Sequence, residues 1–239
     1  FRLDQSQLSI GSSLESSITL KEIESIDHAL IIGSYTRLEQ PMINHRIRKA
    51  ALNGASVNSI NSKNFDFNFK TKCNALTAPQ KLLSALQSVL KAVHLKTNQD
   101  IPNDVSDVSP SEIHNIIADD LIASENGVIV LGEHLNSNPN SLAIINLIEK
   151  IASATNLKIP NITISGNSHS AEKVNFIPSG NGLNAISMFN DNTKAFLLMD
   201  VDSEYDFIDS KSAQGHFSKE DVFVVALSSF ENQSTLTSA

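Results

Sequence analysis

The stretch over residues 28–54 constrains the fold most, because it contains a complete strand, turn and helix. Residues 29–32 form a short apolar run, which is typical of a strand covered on both faces, and Gly33 permits a tight turn at its carboxyl end. Pro41 suits the first position of a helix, since its missing N–H would have no partner there. Gly54 suits the position after the last turn, where a left-handed conformation ends a helix. We therefore predict a strand–turn–helix unit of the Rossmann type.

The alternation of strands and helices continues along the chain. Apolar runs predict a second parallel strand over residues 55–60 and further buried strands over residues 128–131, 162–164, 195–199 and 222–227. Helices are predicted between them, over residues 82–96, 110–121, 138–155, 182–189 and 204–212. Strands that alternate with helices pair in parallel through crossover connections. The predicted fold class is therefore α/β, doubly wound, with mainly parallel, Rossmann-like sheets.

Local signals add detail to this outline. The helix that begins at Pro41 is expected to bury Ile43 and Ile47, which recur at helical spacing. Residues 109–112 predict another helix start, with Ser109 as its cap. Phenylalanines alternate with other residues over residues 65–69, which predicts a strand or an extended segment with one buried face.

A polar loop divides the chain into two predicted lobes. Residues 97–108 are rich in asparagine, proline and aspartate, which is typical of a loop. We expect a first α/β lobe over residues 1–96, a linker made of a loop and a capped helix over residues 97–126, and a second α/β lobe over residues 127–239. The two lobes are thus expected to be joined by a helical section.

Composition excludes several classes of function. The 239 residues carry a net charge of −8 with a pI of about 5.3, which argues against nucleic-acid binding. Cys73 is the single cysteine, so the chain can form no internal disulfide and no cysteine-rich zinc or iron–sulfur site of its own. The longest apolar runs are far shorter than the roughly 20 residues of a membrane-spanning helix, and we expect no direct membrane insertion.

The predicted first helix carries a motif with a known counterpart. Its residues fit the pattern E-x-P-x-x-N-x-R-I-R-K, and the matching positions are Glu39, Pro41, Asn44, Arg46, Ile47, Arg48 and Lys49. The strand, the glycine turn and this pattern resemble the molybdopterin-oxidoreductase-like region of the large iron–sulfur subunit of respiratory NADH:quinone oxidoreductase (complex I). One departure lies in the turn, where Tyr35 and Thr36 stand in place of the family's Asn-Pro.

The resemblance continues in the second predicted lobe. Residues 128–133 resemble a family strand written VIVLGE, and residues 222–237 resemble a final strand that leads into a Thr- and Glu-rich stretch. Between them, four residues follow in the family's order, namely Phe176, Pro178, Gly180 and Ala185. The resemblance therefore covers most of the chain.

The resemblance implies that this chain is part of a larger subunit and that the chain itself carries out no catalysis. In the parent enzyme, electrons pass from NADH through flavin and iron–sulfur clusters to quinone, and the clusters are expected in an N-terminal part outside this sequence. The resembling region carries no molybdopterin, so Gly33, Ser34 and Gly132 are expected to be vestigial turn residues without a cofactor. Expected partners are other parts and subunits of complex I. The expected location is cytoplasmic, peripheral on the inner face of the cytoplasmic membrane as part of a complex.

Arg46, Arg48 and Lys49 form a local basic patch on an acidic chain. They lie within four residues at about 100° per residue, so at least two of them must point away from the buried face of the helix. Two interpretations stay open, a solvated helix face and a surface that meets the cluster-bearing part of the subunit.

Two rival functions also stay open. Asp200 and Asp202 follow the apolar run over residues 195–199, and carboxylates at a strand end can hold Mg²⁺ for phosphoryl transfer. This arrangement resembles a haloacid-dehalogenase-like phosphatase, whereas the simpler interpretation is a solvated acidic loop. In molybdopterin enzymes, turns like that at Gly33 and Ser34 contact the nucleotide part of the cofactor. The second rival is therefore a piece of an active molybdopterin oxidoreductase.

Overall fold

The computed structural model describes residues 18–136, 138–160, 174, 182–190, 193–207 and 209–237. These described residues divide into two compact units, one over residues 18–160 and the other over residues 174–237. The larger unit contains the strand, turn and helix that constrain the fold most.

A four-stranded parallel sheet with the strand order β3-β2-β1-β4 forms the centre of the larger unit. Its strands are β1 (His28–Ile32), β2 (Ser56–Asn61), β3 (Cys73–Leu76) and β4 (Gly127–Leu131). All residues of β1 are buried, as expected for a strand covered on both faces. Because β4 pairs with β1, the first strand of the predicted second lobe shares a sheet with the first lobe. The lobe boundaries themselves stay a prediction.

Helices cover both faces of this sheet. They are α1 (Thr36–Glu39), α2 (Pro41–Leu52), α3 (Leu82–Thr97), α4 (Glu112–Ala123), α5 (Glu133–Asn136) and α6 (Ser141–Thr155), with 3₁₀ turns at Glu22–Ser25, Pro79–Lys81 and Asn103–Val105. Leu30 and Ile32 of β1 pack with buried residues of α3, α4 and α6. Ala29 and Ile31 point to the other face and pack with Ile47 of α2. The doubly wound α/β fold is confirmed.

Helix α2 begins and ends where the sequence predicts. Pro41 lies at its amino end, and the chain turns after the helix at Gly54, which has a φ of +102°. Ile43 and Ile47 are buried, whereas Met42 of the same helix is 55% exposed. The predicted buried face of this helix is therefore confirmed.

Helix α4 begins later than predicted. Its cap is Ser111, and the prediction of Ser109 was wrong. The backbone N–H of Ser111 donates to Nδ1 of His114 at 3.1 Å, and the Ser111 side chain accepts the backbone N–H of His114 in return. A histidine thus completes the capping box in the place where glutamate is usual, and it moves the start of the helix.

The phenylalanine-rich segment before β3 does not form a strand. The rings of Tyr35 and Phe65 stack with centroids 4.7 Å apart, and those of Phe67 and Phe69 stack at 5.6 Å. The phenylalanines pack on the α2 side of the sheet, which agrees with the predicted buried face. The strand alternative was wrong because the aromatic rings pack on one another, and β3 further along the chain pairs with β2.

The smaller unit contains a two-stranded parallel sheet of β5 (Ala195–Met199) and β6 (Phe223–Leu227). One face is buried against the helix Ser210–Phe217. The opposite face is open, and Leu197 and Phe223 on it are 61% and 58% exposed. Both strands are confirmed, but the prediction that they are buried was wrong, since among the described residues a helix covers one face only.

The remaining helix predictions are only partly confirmed. The helix expected over residues 204–212 begins at Ser210, because the side chain of Asp209 caps it by accepting the N–H of Ser212. The helix expected over residues 182–189 is found as Ala185–Asn190. The strand predicted over residues 162–164 lies outside the described residues. In the part of the chain that the structure describes, no helix is long and apolar enough to span a bilayer.

Candidate functional site

The turns after β1 and β4 meet at the carboxyl edge of the sheet. The chain leaves β1 toward α2 on one face of the sheet, and it leaves β4 toward α6 on the other face. Such a divergence is a topological switch point, where open parallel sheets bind their ligands. The structure brings the three predicted turn residues, Gly33, Ser34 and Gly132, together at this point.

Gly132 packs directly against the backbone of the turn after β1. A Cβ atom on Gly132 would lie 2.1 Å from the carbonyl oxygen of Gly33 and 2.4 Å from Cα of Ser34. The N–H of Gly132 donates to the carbonyl of Ile32 at 2.9 Å, which fixes this approach. Gly33 has a φ of +61°, a conformation that side chains disfavour. Close packing and backbone conformation therefore account for both glycines.

The carboxylate of Glu39 binds three donors of these two turns. Its Oε1 atom accepts the backbone N–H of Tyr35 at 2.7 Å. Its Oε2 atom accepts the hydroxyl of Ser34 and the backbone N–H of Glu133, each at 3.0 Å. Glu39 thus links the turn after β1 to the turn after β4. Sequence reasoning missed this role, although the position of Glu39 at the start of the motif was a signal for it.

Polar side chains on α1, on α2 and at the junction between them hold the same region together. Gln40 Nε2 donates to the carbonyl of Leu131 at 2.8 Å. Asn44 accepts the hydroxyl of Thr36 at 2.7 Å and donates to the carbonyl of Phe67 at 3.1 Å. Thr36, which departs from the family pattern, therefore supplies a buried partner for a residue that follows the pattern.

A narrow cleft adjoins Gly33 at the carboxyl ends of the strands. It is also lined by Asn61, Thr77, His134 and Asn138, and its volume is about 20 Å³, which matches a single water molecule. Both polar atoms of the Asn61 amide are buried and have no hydrogen-bond partner among the described residues. Polar and apolar side chains both line the cleft, which is much smaller than a nucleotide.

The basic residues of α2 contact neighbouring segments of the larger unit. Arg46 and Lys49 both pair with the carboxylate of Glu24, and Lys49 Nζ lies 3.0 Å from its Oε1 atom. Arg48 Nε donates to the carbonyl of Asn68 at 3.2 Å. The three side chains therefore attach α2 to two other segments, and their role toward a partner stays a prediction.

Asp200 and Asp202 lie in a tight loop after β5, in the smaller unit. Asp202 accepts the N–H of Glu204 at 2.9 Å, and its own N–H donates to the carboxylate of Asp206 at 2.8 Å. Asp200 has a φ of +50°, which suits a turn. Over the described ranges, no group of three or more His, Cys, Asp or Glu side chains is arranged to hold a metal ion. The observed contacts are those of side chains that close turns.

Comparison with known families decides the assignment. The chain matches the family model of molybdopterin oxidoreductases over residues 3–234. It belongs to that family. No curated protein matches the chain.

Among solved structures, this molybdopterin oxidoreductase family chain is similar to the formyltransferase/hydrolase complex FhcABCD from Methylorubrum extorquens, determined in complex with methylofuran. The identity is 17% and the TM-score is 0.43. The match covers 64% of this chain and 41% of that chain, so the chain spans less than half the length of that structure.

The family domain also buries a histidine at the amino edge of its sheet, which sequence reasoning missed. His28, the first residue of β1, is 2% exposed, and neither ring nitrogen has a hydrogen-bond partner among the described residues. Burial lowers the pKa of His28 to about 4, although the carboxylates of Asp120 and Asp27 raise it. The imidazole ring of His28 is therefore neutral in the folded protein over a wide range of pH.

Cys73 lies near the same edge and is a poor candidate for a nucleophile. Burial raises the pKa of its thiol, and the carboxylate of Asp120 acts in the same direction. Asp120 itself accepts hydrogen bonds from Asn58, at 2.8 Å, and from Lys72. Burial and the Asp120 carboxylate thus favour the protonated thiol, whereas the charge of Lys72 lowers its pKa.

His28 is expected to make the protein less stable in mild acid. Its ordinary pKa is 6.5 and its folded pKa is about 4, so between these values a proton binds only to the unfolded chain. The free energy of unfolding should fall by about 3 kcal/mol over this window from His28 alone. Urea unfolding at a series of pH values measures the effect.

Two variants isolate this contribution. His28→Leu should remove the part of the pH dependence that His28 causes, and the buried ring makes no hydrogen bond among the described residues that leucine would break. The pKa of His114, which burial also lowers, leaves a smaller dependence in the variant. His45→Gln, on an exposed position of α2, should leave the dependence as it is in the wild type. A His28→Leu protein whose stability still fell as steeply would show that other groups cause the loss.

Proposed function

We propose that this chain is the molybdopterin-oxidoreductase-like domain of the large iron–sulfur subunit of NADH:quinone oxidoreductase. In this role it is a structural and interaction module, and the transfer of electrons from NADH to quinone takes place elsewhere in the assembly. Iron–sulfur clusters belong to an N-terminal part of the same subunit, and the partners are other parts and subunits of complex I. The complex places the chain on the inner face of the cytoplasmic membrane.

The observation that carries this proposal is the use of the motif residues. Pro41 begins α2, and the other six hold the turn and α2 in place through contacts or burial within the larger unit, namely Glu39, Asn44, Arg46, Ile47, Arg48 and Lys49. Motif residues that stabilise the fold in this way support a structural and interaction role for the domain.

Purification from the native host tests the proposal. The tagged full-length protein is expected to copurify with iron–sulfur and flavin-containing proteins and to retain NADH oxidation with quinone as acceptor. The metal content should include iron from the subunit's own clusters and from the partners but no stoichiometric molybdenum. A complex that contains one molybdenum per chain and lacks NADH oxidation would instead identify an active molybdopterin oxidoreductase.

A charge-reversal variant tests the basic residues as an interaction surface. Arg46→Glu combined with Lys49→Glu should weaken association with the cluster-bearing part about tenfold at low salt, and less at high salt. The same change places like charges beside Glu24 and should cost about 1 to 2 kcal/mol of stability. Binding at two salt concentrations and thermal unfolding measure the two effects separately.

A compensated variant separates the fold from the interface. Adding Glu24→Lys to the double variant restores ion pairing with reversed signs, so stability should return toward that of the wild type. Association should remain weak if the positive charge itself contacts the partner. Recovery of both stability and association would mean that Arg46 and Lys49 serve only the fold.

A further inference from the structure

We infer that Glu39 occupies, as an internal carboxylate, the position where a phosphate group of the family's cofactor would bind, so that the turn accepts no nucleotide. The inference concerns the switch point between β1 and β4, where open parallel sheets bind ligands. Phosphates at such turns are bound by backbone N–H groups and hydroxyls. Glu39 binds groups of these two kinds.

The donors of the turn are already engaged. The N–H of Tyr35, the N–H of Glu133 and the hydroxyl of Ser34 all point at the Glu39 carboxylate, at distances of 2.7 to 3.0 Å. A backbone N–H has a single hydrogen, so it cannot serve a phosphate oxygen while it serves Glu39. A nucleotide would have to displace this carboxylate before it could bind.

Electrostatic repulsion disfavours the displacement of the Glu39 carboxylate by a phosphate. A carboxylate and a phosphate at the same donors repel each other, and the repulsion is strong where water is partly excluded. Ser34 is fully buried and Glu39 is partly buried, so the site has this character. The carboxylate is also supplied by the chain itself, at a high effective concentration.

The close packing of the two turns also leaves no room for a nucleotide. The backbone at Gly132 approaches that of Gly33 and Ser34 so closely that even one added carbon would overlap it. The adjoining cleft of about 20 Å³ has room for a single water molecule only. The residues present therefore do not fit the nucleotide part of the cofactor at this turn.

The inference rests on the geometry of the turn and is independent of the complex I proposal. Copurification from the host tests the assembly, whereas ligand binding by the purified chain tests the turn. A failure of one leaves the other intact.

The test compares the wild type with Glu39→Ala, using inorganic phosphate, pyrophosphate and GDP as probes. The variant frees two N–H groups and a hydroxyl, so it should lose stability and regain part of it when phosphate is added. Calorimetry should show binding of at least one probe that is about tenfold or more tighter than in the wild type, or about 1.4 kcal/mol. Wild-type unfolding should not depend on these anions beyond the effect of ionic strength.

Two further variants complete the design. Asp100→Ala removes an exposed carboxylate outside this turn, and it should behave as the wild type does. Glu39→Gln keeps the size of the side chain but removes the charge, and it is the variant to use if Glu39→Ala does not fold. The inference is overturned if the wild type and the Glu39 variants respond alike, whether all of them bind the probes or none does.

Discussion

Replacing Gly132 with alanine is expected to cost about 4 kcal/mol of unfolding free energy or more, which is among the largest effects of a single substitution. The added Cβ would lie 2.1 Å from the carbonyl oxygen of Gly33 and 2.3 Å from Cβ of Ser34, so the backbone itself has to move. That movement breaks the hydrogen bond between Gly132 and Ile32 and separates Glu39 from Glu133. Urea unfolding followed by circular dichroism measures the loss.

The matched control is Gly215→Ala, the same change within the helix Ser210–Phe217. Nothing lies within 4 Å of the Cβ atom that this change would add. Alanine is also favoured over glycine in a helix by up to about 1 kcal/mol, so the control should be neutral or slightly stabilising. A Gly132→Ala protein as stable as this control would mean that the two turns are further apart than described.

Ile47→Ala is expected to destabilise the larger unit by roughly 2 to 5 kcal/mol, the usual range for removing a buried isoleucine side chain. Ile47 is fully buried between α2 and the sheet, in the cluster that contains Ala29 and Ile31 of β1. The substitution leaves a cavity, which closes only if α2 and the sheet move closer to each other. The free energy of unfolding in urea gives the size of the effect.

Met42→Ala provides the comparison within the same helix. Met42 is more than half exposed, so shortening it should change stability by no more than about 0.5 kcal/mol. Equal losses in the two variants would mean that α2 presents a different face to the sheet. A selective loss at Ile47 would confirm the orientation on which the placement of Arg46 and Lys49 depends.

Much of the larger unit could be predicted because its signals are local. The apolar run of β1, the missing N–H of Pro41 and the left-handed conformation at Gly54 are each properties of a few neighbouring residues. Spacing along α2 likewise identified Ile43 and Ile47 as buried. Local signals were insufficient at Ser109, because the capping box between Ser111 and His114 starts the helix two residues later.

The sequence by itself determined the α/β class, the strand, turn and helix around Gly33, and the family motif that begins at Glu39. Only the tertiary structure decided what Glu39 binds, because two of its three donors, Ser34 and Tyr35, are near in sequence while the third, Glu133, follows a strand 94 positions away. It also decided that Gly132 has no room for a side chain. Both facts depend on the pairing of β4 with β1, which joins distant residues and leaves no periodic or compositional trace in the chain.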